Sequence, residues 1–331
     1  MQALYWDGHE LSLDLSYLPP IQKSKIVGAT GSRPIFSDSQ TALVKVHLAG
    51  ICSTDLQIFK GYMGFQGVPG HEFVGSVIDG PPELINQRVV SEINFACGQC
   101  ESCARGVGRH CPDRKVMGIL GADGAFAEWV SVPIANLHVV PQSVSDEEAV
   151  FTEPLAAAFE ILEQVQLDPG DDVLVLGDGK LGNLCAQVLR LTGASVTALG
   201  KHEDKLKLIK RAGVRAVPLS EWKPRLYDVV VEATGSASAL KLAMSAVRPR
   251  GTLVLKSTIA GEHHISLAPL VINEVTMIGS RCGVFAPAME ALEEKSVSVT
   301  PLIEKIYPLA DGLEAVGHAA SPGTRKILLR P

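Results

Sequence analysis

At 331 residues the chain is longer than one hydrophobic core usually supports, so two domains are expected. Its 46% hydrophobic and 20% charged residues fit a globular protein with a large interior. A net charge of −6 with no long Lys/Arg run argues against a nucleic-acid backbone or an anionic membrane as partner, and no apolar run is long enough to span a bilayer.

The opening "MQALYWDGHELSLDL" alternates like a strand. It has neither a basic leader nor an apolar signal core, which points to the cytoplasm. Residues 17–40 show little periodicity and read as a long connecting segment. Short β-type runs follow, "TALVKVHLAG" (41–50), "FVGSVI" (73–78), "QRVVSEI" (87–93) and "FAEWVSV" (126–132), each bounded by turn residues. Between the last two lies "CGQCESCARGVGRHCP", with four of the seven cysteines: Cys97, Cys100, Cys103 and Cys111. Their spacing is C-x2-C-x2-C-x7-C. An iron–sulfur cluster would need a shorter last gap, and disulfides would need an oxidising compartment. A closed tetrahedral zinc on four thiolates suits both spacing and compartment. Such a site can staple a lobe but has no open position for a substrate.

Near residue 145 the pattern changes. "SDEE" predicts a capping box, Ser145 with Glu148, and helical spacing runs on to Val165, with Pro154 setting a boundary at Glu153. Then "DVLVLGDGKLGNLCAQVLRLTGASVTALG" (172–200) reads as buried strand, glycine turn, amphipathic helix and buried strand. The alternation continues through helix "EDKLKLIKRAG", strand "YDVVVEATG" (227–235), helix "SALKLAMSAV", strand "GTLVLKS" (251–257) and "EVTMIGSRCG" (274–283). This is the pattern of a doubly wound α/β domain. A helix, "APAMEALEEK", and a mixed tail ending in "KILLR" close the chain.

"GDGKLG" places Gly177, Gly179 and Gly182, with Asp178, Lys180 and Leu181 between them, after a strand and at the start of a helix. Gly177 permits the tight turn, Gly179 lets a pyrophosphate approach the backbone, and Gly182 lets helix and strand pack closely. A NAD site normally ends the second strand in Asp or Glu. Here Gly200 stands at that position, followed by Lys201, His202 and Lys205, so the expectation is NADP over NAD, with no carboxylate at the corner. Cys52, His71 and Glu72 are ligand types in "GICSTD" and "GHE", and Glu153 adds a carboxylate. A catalytic zinc needs three protein ligands and one open position. Cys52, His71 and Glu153 would supply them if the two domains meet there.

Taken in order, "GICSTD", "PGHEFVG", "CGQCESCARGVGRHC", "DGAFAEW", "EPLAAAFE", "VLGDGKLG" and "EATG" resemble the zinc-dependent medium-chain dehydrogenase/reductase family of alcohol, sorbitol, glucose and threonine dehydrogenases. The resemblance covers almost the whole chain. It implies a GroES-like β-rich catalytic domain over 1–144, with a structural-zinc lobe at about 94–113. A Rossmann NAD(P)-binding domain over 145–283 and a return to the catalytic domain over 284–331 complete it. It implies two zinc ions per chain. The structural one belongs on Cys97, Cys100, Cys103 and Cys111, and the catalytic one on Cys52, His71 and Glu153. Glu72 matches a carboxylate that can bind or support the metal, and Asp55 one that orients the histidine. Thr54 matches a relay hydroxyl, Thr234 falls in the cofactor-side "EATG", and Lys326 matches a basic residue that can reach the cofactor phosphates. Gln57 stands where alcohol dehydrogenases carry a relay histidine; that departure and the glutamate of "EPL" tilt the reading toward the polyol and sugar branch. The implied activity is hydride transfer between a secondary alcohol, polyol or sugar hydroxyl and NAD(P). The alternative is a non-catalytic dinucleotide-binding member with a regulatory role. The segment near "EVTMIG" matches the one by which members pair, implying a homodimer or homotetramer.

Overall fold

Strand-forming runs and turn residues divide the chain into two units, one from Met1–Glu153 with Ile303–Pro331, the other from Pro154–Leu302. The structure is a computed structural model that describes residues 1–18, 40–258 and 265–331. The connecting segment read over 17–40 lies, except at its ends, outside the described residues.

In the first unit, Thr41–Gly50 is the organising strand. Its alternate apolar residues Ala42, Val44 and Val46 enter a core shared with Val77, Val89, Val130, Val132, Ile327 and Leu329. It pairs antiparallel with Glu72–Asp79, Trp129–Pro133 and Lys326–Arg330. The sheet runs Leu137–Val139, Arg88–Ser91, Glu72–Asp79, Thr41–Gly50, Lys326–Arg330, Ile303–Pro308. The C-terminal strand is therefore central, and its register sets Leu328 opposite Gly50, which is itself opposite Glu72. The N-terminal alternation resolves into a hairpin, Ala3–Trp6 with Leu11–Asp14. Asp7 breaks it by accepting the N–H groups of His9 and Glu10.

The second unit has six parallel strands in the order Arg215–Pro218, Ser195–Gly200, Asp172–Leu176, Tyr227–Glu232, Val247–Leu255, Thr276–Gly279. Numbered along the chain this is 3-2-1-4-5-6, the Rossmann order. Val173, Leu174 and Val175 are fully buried, as continuous apolar runs in a parallel sheet require. Arg215–Pro218 has no run of its own to announce it; it is a short edge strand.

Both expected domain boundaries move. The first shifts from 144/145 to 153/154, because Arg88 Nη1 donates to Asp146 at 2.8 Å and ties the capped helix Asp146–Ala149 to the first unit. The second shifts from 283/284 to 302/303. Gln187 exchanges two hydrogen bonds with the Ser298 backbone, at 3.0 and 2.7 Å, and holds that stretch in the dinucleotide unit. Pro154 does not end a helix at Glu153. It sits in the first turn of Thr152–Gln164, where its missing N–H costs nothing. No described helix is long and apolar enough to cross a membrane.

Candidate active site and cofactor turn

Cys52 leaves the end of the organising strand and caps the helix Ser53–Ile58. Asp55, three residues into that helix, reaches back and accepts the Cys52 N–H at 2.8 Å. Its other oxygen faces His71 Nδ1 at 3.2 Å, and both of these atoms are buried with no other hydrogen-bond partner. One fully buried carboxylate thus ties two ligand-bearing segments together. With Nδ1 turned to Asp55, Nε2 is the nitrogen left for a metal. Burial works against a Cys52 thiolate, but the hydrogen bond and charge of His71 outweigh it and bring that thiol down to about 6. His71 is likewise disfavoured as a cation by burial, yet Asp55 holds it well above its ordinary range.

Ligand atoms of Cys52, His71 and Glu72 lie within 4.8 Å of one another. Glu153 is not in this group; it lies half-buried at the start of Thr152–Gln164. Thr54 stands beside the cluster, its Oγ1 3.7 Å from Cys52 Sγ. The expected phosphate contact of Lys326 also changes. Lys326 is 1% exposed, and its Nζ is paired with Glu72 Oε2. Burial pushes it down to about 8 against the pull of the Cys52 and Asp55 charges. Gly50 makes room for the pair, since a Cβ there would run into Glu72 Oε2 and the end of Lys326. The signal for this contact is weak in sequence, because 254 positions separate its partners.

The loop that carries His71 is gripped through backbone. Ala125 N–H donates to Gly70 O at 2.9 Å and Phe126 N–H to Pro69 O at 3.0 Å. A Cβ on Gly118 would meet Gly70 N at 2.7 Å, and one on Gly124 would meet Pro69 O at 2.5 Å. Three segments therefore cross with no side chain between them.

The four-cysteine lobe gathers as its spacing predicts. Cys100 Sγ lies 3.5 Å from Cys103 Sγ and 3.7 Å from Cys111 Sγ, and Cys97 Sγ lies 4.0 Å from Cys103 Sγ. A tetrahedron of about 2.3 Å Zn–S bonds requires sulfurs about 3.8 Å apart. None of the seven cysteines, all of them among the described residues, is joined in a disulfide. The N–H of Gln99 and the neighbouring Cys111 thiol bring Cys97 down to about 7, as ligation favours.

In the second unit Gly177 has φ 125°, a conformation that favours glycine, and packs on Ala233 O. Gly182 packs on Gly177 O. A Cβ on Gly179 would meet nothing within 4 Å. This open space lies at the N-terminus of Lys180–Arg190, where first-turn N–H groups point out of the helix as a pyrophosphate needs, so the turn fits a dinucleotide. Thr234 folds back, its N–H and Oγ1 on Glu232 at 2.8 and 2.6 Å. The acid-free corner expected beside Gly200 does not hold, because the Asp178 carboxylate lies against it. Lys201 and His202 are exposed, whereas Lys205 is buried.

Comparison with known proteins agrees with both units. The family model for the alcohol dehydrogenase GroES-like domain matches residues 38–142, and that for zinc-binding dehydrogenases matches 181–296. D-arabinitol dehydrogenase 1 of Uromyces fabae is 28% identical over 89% of this chain and 91% of its own length. Sorbitol dehydrogenase of Halalkalibacterium halodurans is 29% identical over 87% and 91%. The structure of alcohol dehydrogenase TADH from Thermus sp. ATN1 superposes with a TM-score of 0.85 at 27% identity, covering 100% of this chain and 99% of that one. With two thirds of its length matched by these two models, a Rossmann-ordered sheet and both sets of metal-ligand side chains, the chain belongs to the zinc-dependent medium-chain dehydrogenase/reductase family.

Proposed function

We propose that this zinc-binding dehydrogenase interconverts a secondary hydroxyl of a polyol or sugar and the matching ketone. Its hydride partner is a nicotinamide dinucleotide, and its catalytic zinc rests on Cys52, His71 and Glu72. The observation that carries the reading is the convergence of those three side chains on one point, with Asp55 behind His71. Three ligands leave a tetrahedral ion one open position, unlike the four thiolates of the lobe. A zinc ion bound there supplies Lewis-acid polarisation of the substrate hydroxyl. Thr54, beside the sulfur, is placed to take the proton that leaves. Gln57, one helical turn on, can pass a hydrogen bond but cannot hold a proton as imidazole does, so the proton exits through solvent. The polyol class is supported by that glutamine and by the relatives that act on D-arabinitol and sorbitol, named for those substrates. The non-catalytic alternative has no use for a three-ligand set with an orienting carboxylate.

Metal analysis should return two zinc ions per chain, and a cofactor-coupled screen of polyols, sugars and short alcohols should find its best rates among the polyols. Glu72→Gln should weaken the catalytic zinc by about 10- to 100-fold, while Glu153→Gln should leave its affinity within a few-fold of wild type. One zinc per chain with no turnover on any of the panel would refute the reading. The reverse order of the two glutamate variants would restore Glu153 as the third ligand.

Thr276–Gly279 pairs with only one strand among the described residues, and Val271 and Ile272 just before it are each 77% exposed. We assign this edge to a second copy of the chain, giving a dimer or a pair of dimers. A sedimentation velocity run showing monomer alone at micromolar concentration would remove that assignment.

A further inference from the structure

We propose that Asp178, carried by the glycine turn rather than by the second strand, is the residue that receives the adenosine ribose diol and makes the protein select NAD over NADP. The proposal rests on the reading of this turn as a nicotinamide-dinucleotide site.

In sheets of this order the ribose 2′-OH is normally met by a carboxylate at the end of the second strand. That strand, Ser195–Gly200, ends here in a residue without a side chain. The place is filled from the glycine turn after the neighbouring strand, since a Cβ on Gly200 would run into the Cβ and the carboxylate of Asp178. The two residues are a matched pair: the acid at this corner comes from the glycine turn and fits the space left by Gly200.

Its surroundings hold it there. Asp178 Oδ2 accepts the N–H groups of Lys201 and His202, both at 2.6 Å. His202 Nδ1 lies 3.0 and 3.1 Å from the two carboxylate oxygens. Only 10% of the Asp178 side chain is exposed. Burial opposes its ionisation, but the N–H and imidazole of His202 and the N–H of Lys201 prevail and keep it below the usual carboxylate range.

Two consequences bear on the cofactor. The backbone N–H groups just after the second strand, natural donors to a 2′-phosphate, are already engaged. A 2′-phosphate would also meet a fixed carboxylate charge, whereas a 2′-OH can donate to Oδ1, which among the described residues is engaged by His202 Nδ1 alone. The cations expected to favour NADP are largely committed elsewhere: His202 is turned to Asp178 and Lys205 is buried. Of the three basic residues expected here, Lys201, His202 and Lys205, Lys201 is the one left exposed and not turned to Asp178.

The test is equilibrium binding of NADH and NADPH to the zinc-loaded protein, followed by calorimetry or by energy transfer from protein fluorescence. The wild type should bind NADH at least about tenfold more tightly, as a like-charge contact against the phosphate requires. Asp178→Ser removes the charge and frees the N–H groups of 201 and 202, so it should tighten NADPH and loosen NADH. Asp178→Asn, which keeps the shape, should move the ratio part of the way. Wild-type binding of NADPH as tight as that of NADH would overturn the proposal, even if the variants failed to fold. So would an Asp178→Ser protein with an unchanged ratio. Binding of neither dinucleotide would overturn the parent reading and this proposal together; preference for NADPH overturns this proposal alone.

Discussion

Cys52→Ser is expected to leave one zinc per chain in place of two and to lower turnover by about a thousandfold or more, with the fold and melting midpoint nearly unchanged. The sulfur is one of three groups converging on one point, and a neutral hydroxyl is a poor substitute for a thiolate ligand. Metal polarisation is worth several kcal/mol, and each ~1.4 kcal/mol is tenfold in rate, which sets the size of the loss. The fold should survive because Asp55 holds the backbone N–H of residue 52, not its side chain. Zinc quantification and steady-state kinetics on the same preparation decide the matter. Two retained zinc ions with turnover near wild type would show that the working centre lies elsewhere.

Cys111→Ala should show the opposite pattern. Its sulfur is fully buried, close to Cys100 Sγ, and receives the N–H of Cys97 at 3.4 Å. Loss of this ligand should release the lobe's zinc and lower the thermal midpoint by about 10 °C, from a cost of several kcal/mol spread over a unit of this size. Below the new midpoint, turnover should fall by less than about tenfold, because a closed four-thiolate site has no position for substrate. Differential scanning calorimetry, with metal content measured alongside, separates the two variants. A Cys111→Ala protein that melts like wild type, or that is as inactive as Cys52→Ser, would contradict this division of labour.

Signals local in sequence carried much of this architecture. The apolar runs at 172–176 and 227–232 mark parallel strands because burial on both faces leaves no polar alternation. The cysteine spacing anticipates sulfurs at tetrahedral separations because its ligands share one short loop. Contacts made by topology were harder to read. Lys326 reaches Glu72 only because the last strand joins the sheet beside the strand ending in Gly50. Glu153 is a sound ligand type at a plausible break, yet nothing in its neighbourhood reports where the folded backbone carries it. Gly200 shows the converse difficulty. Reading along one strand finds no acid, while the volume its missing Cβ leaves is taken by a side chain from the adjacent turn. The domain limits slipped for a related reason: a capping box announces where a helix begins, not which core it packs against.

The crossing at Gly70, Gly118 and Gly124 bears on how genetic variation in this protein should be interpreted. None of the three has a side chain that could bind metal, cofactor or substrate, and a chemical inventory would pass over all of them. Yet a methyl group at 118 or 124 must displace the backbone immediately before His71. In a saturation survey these positions should score with the metal ligands themselves, as loss-of-function sites in a protein that still carries every reactive group. An allele there would mimic an active-site lesion, and its diagnosis would come from misplaced geometry rather than missing chemistry.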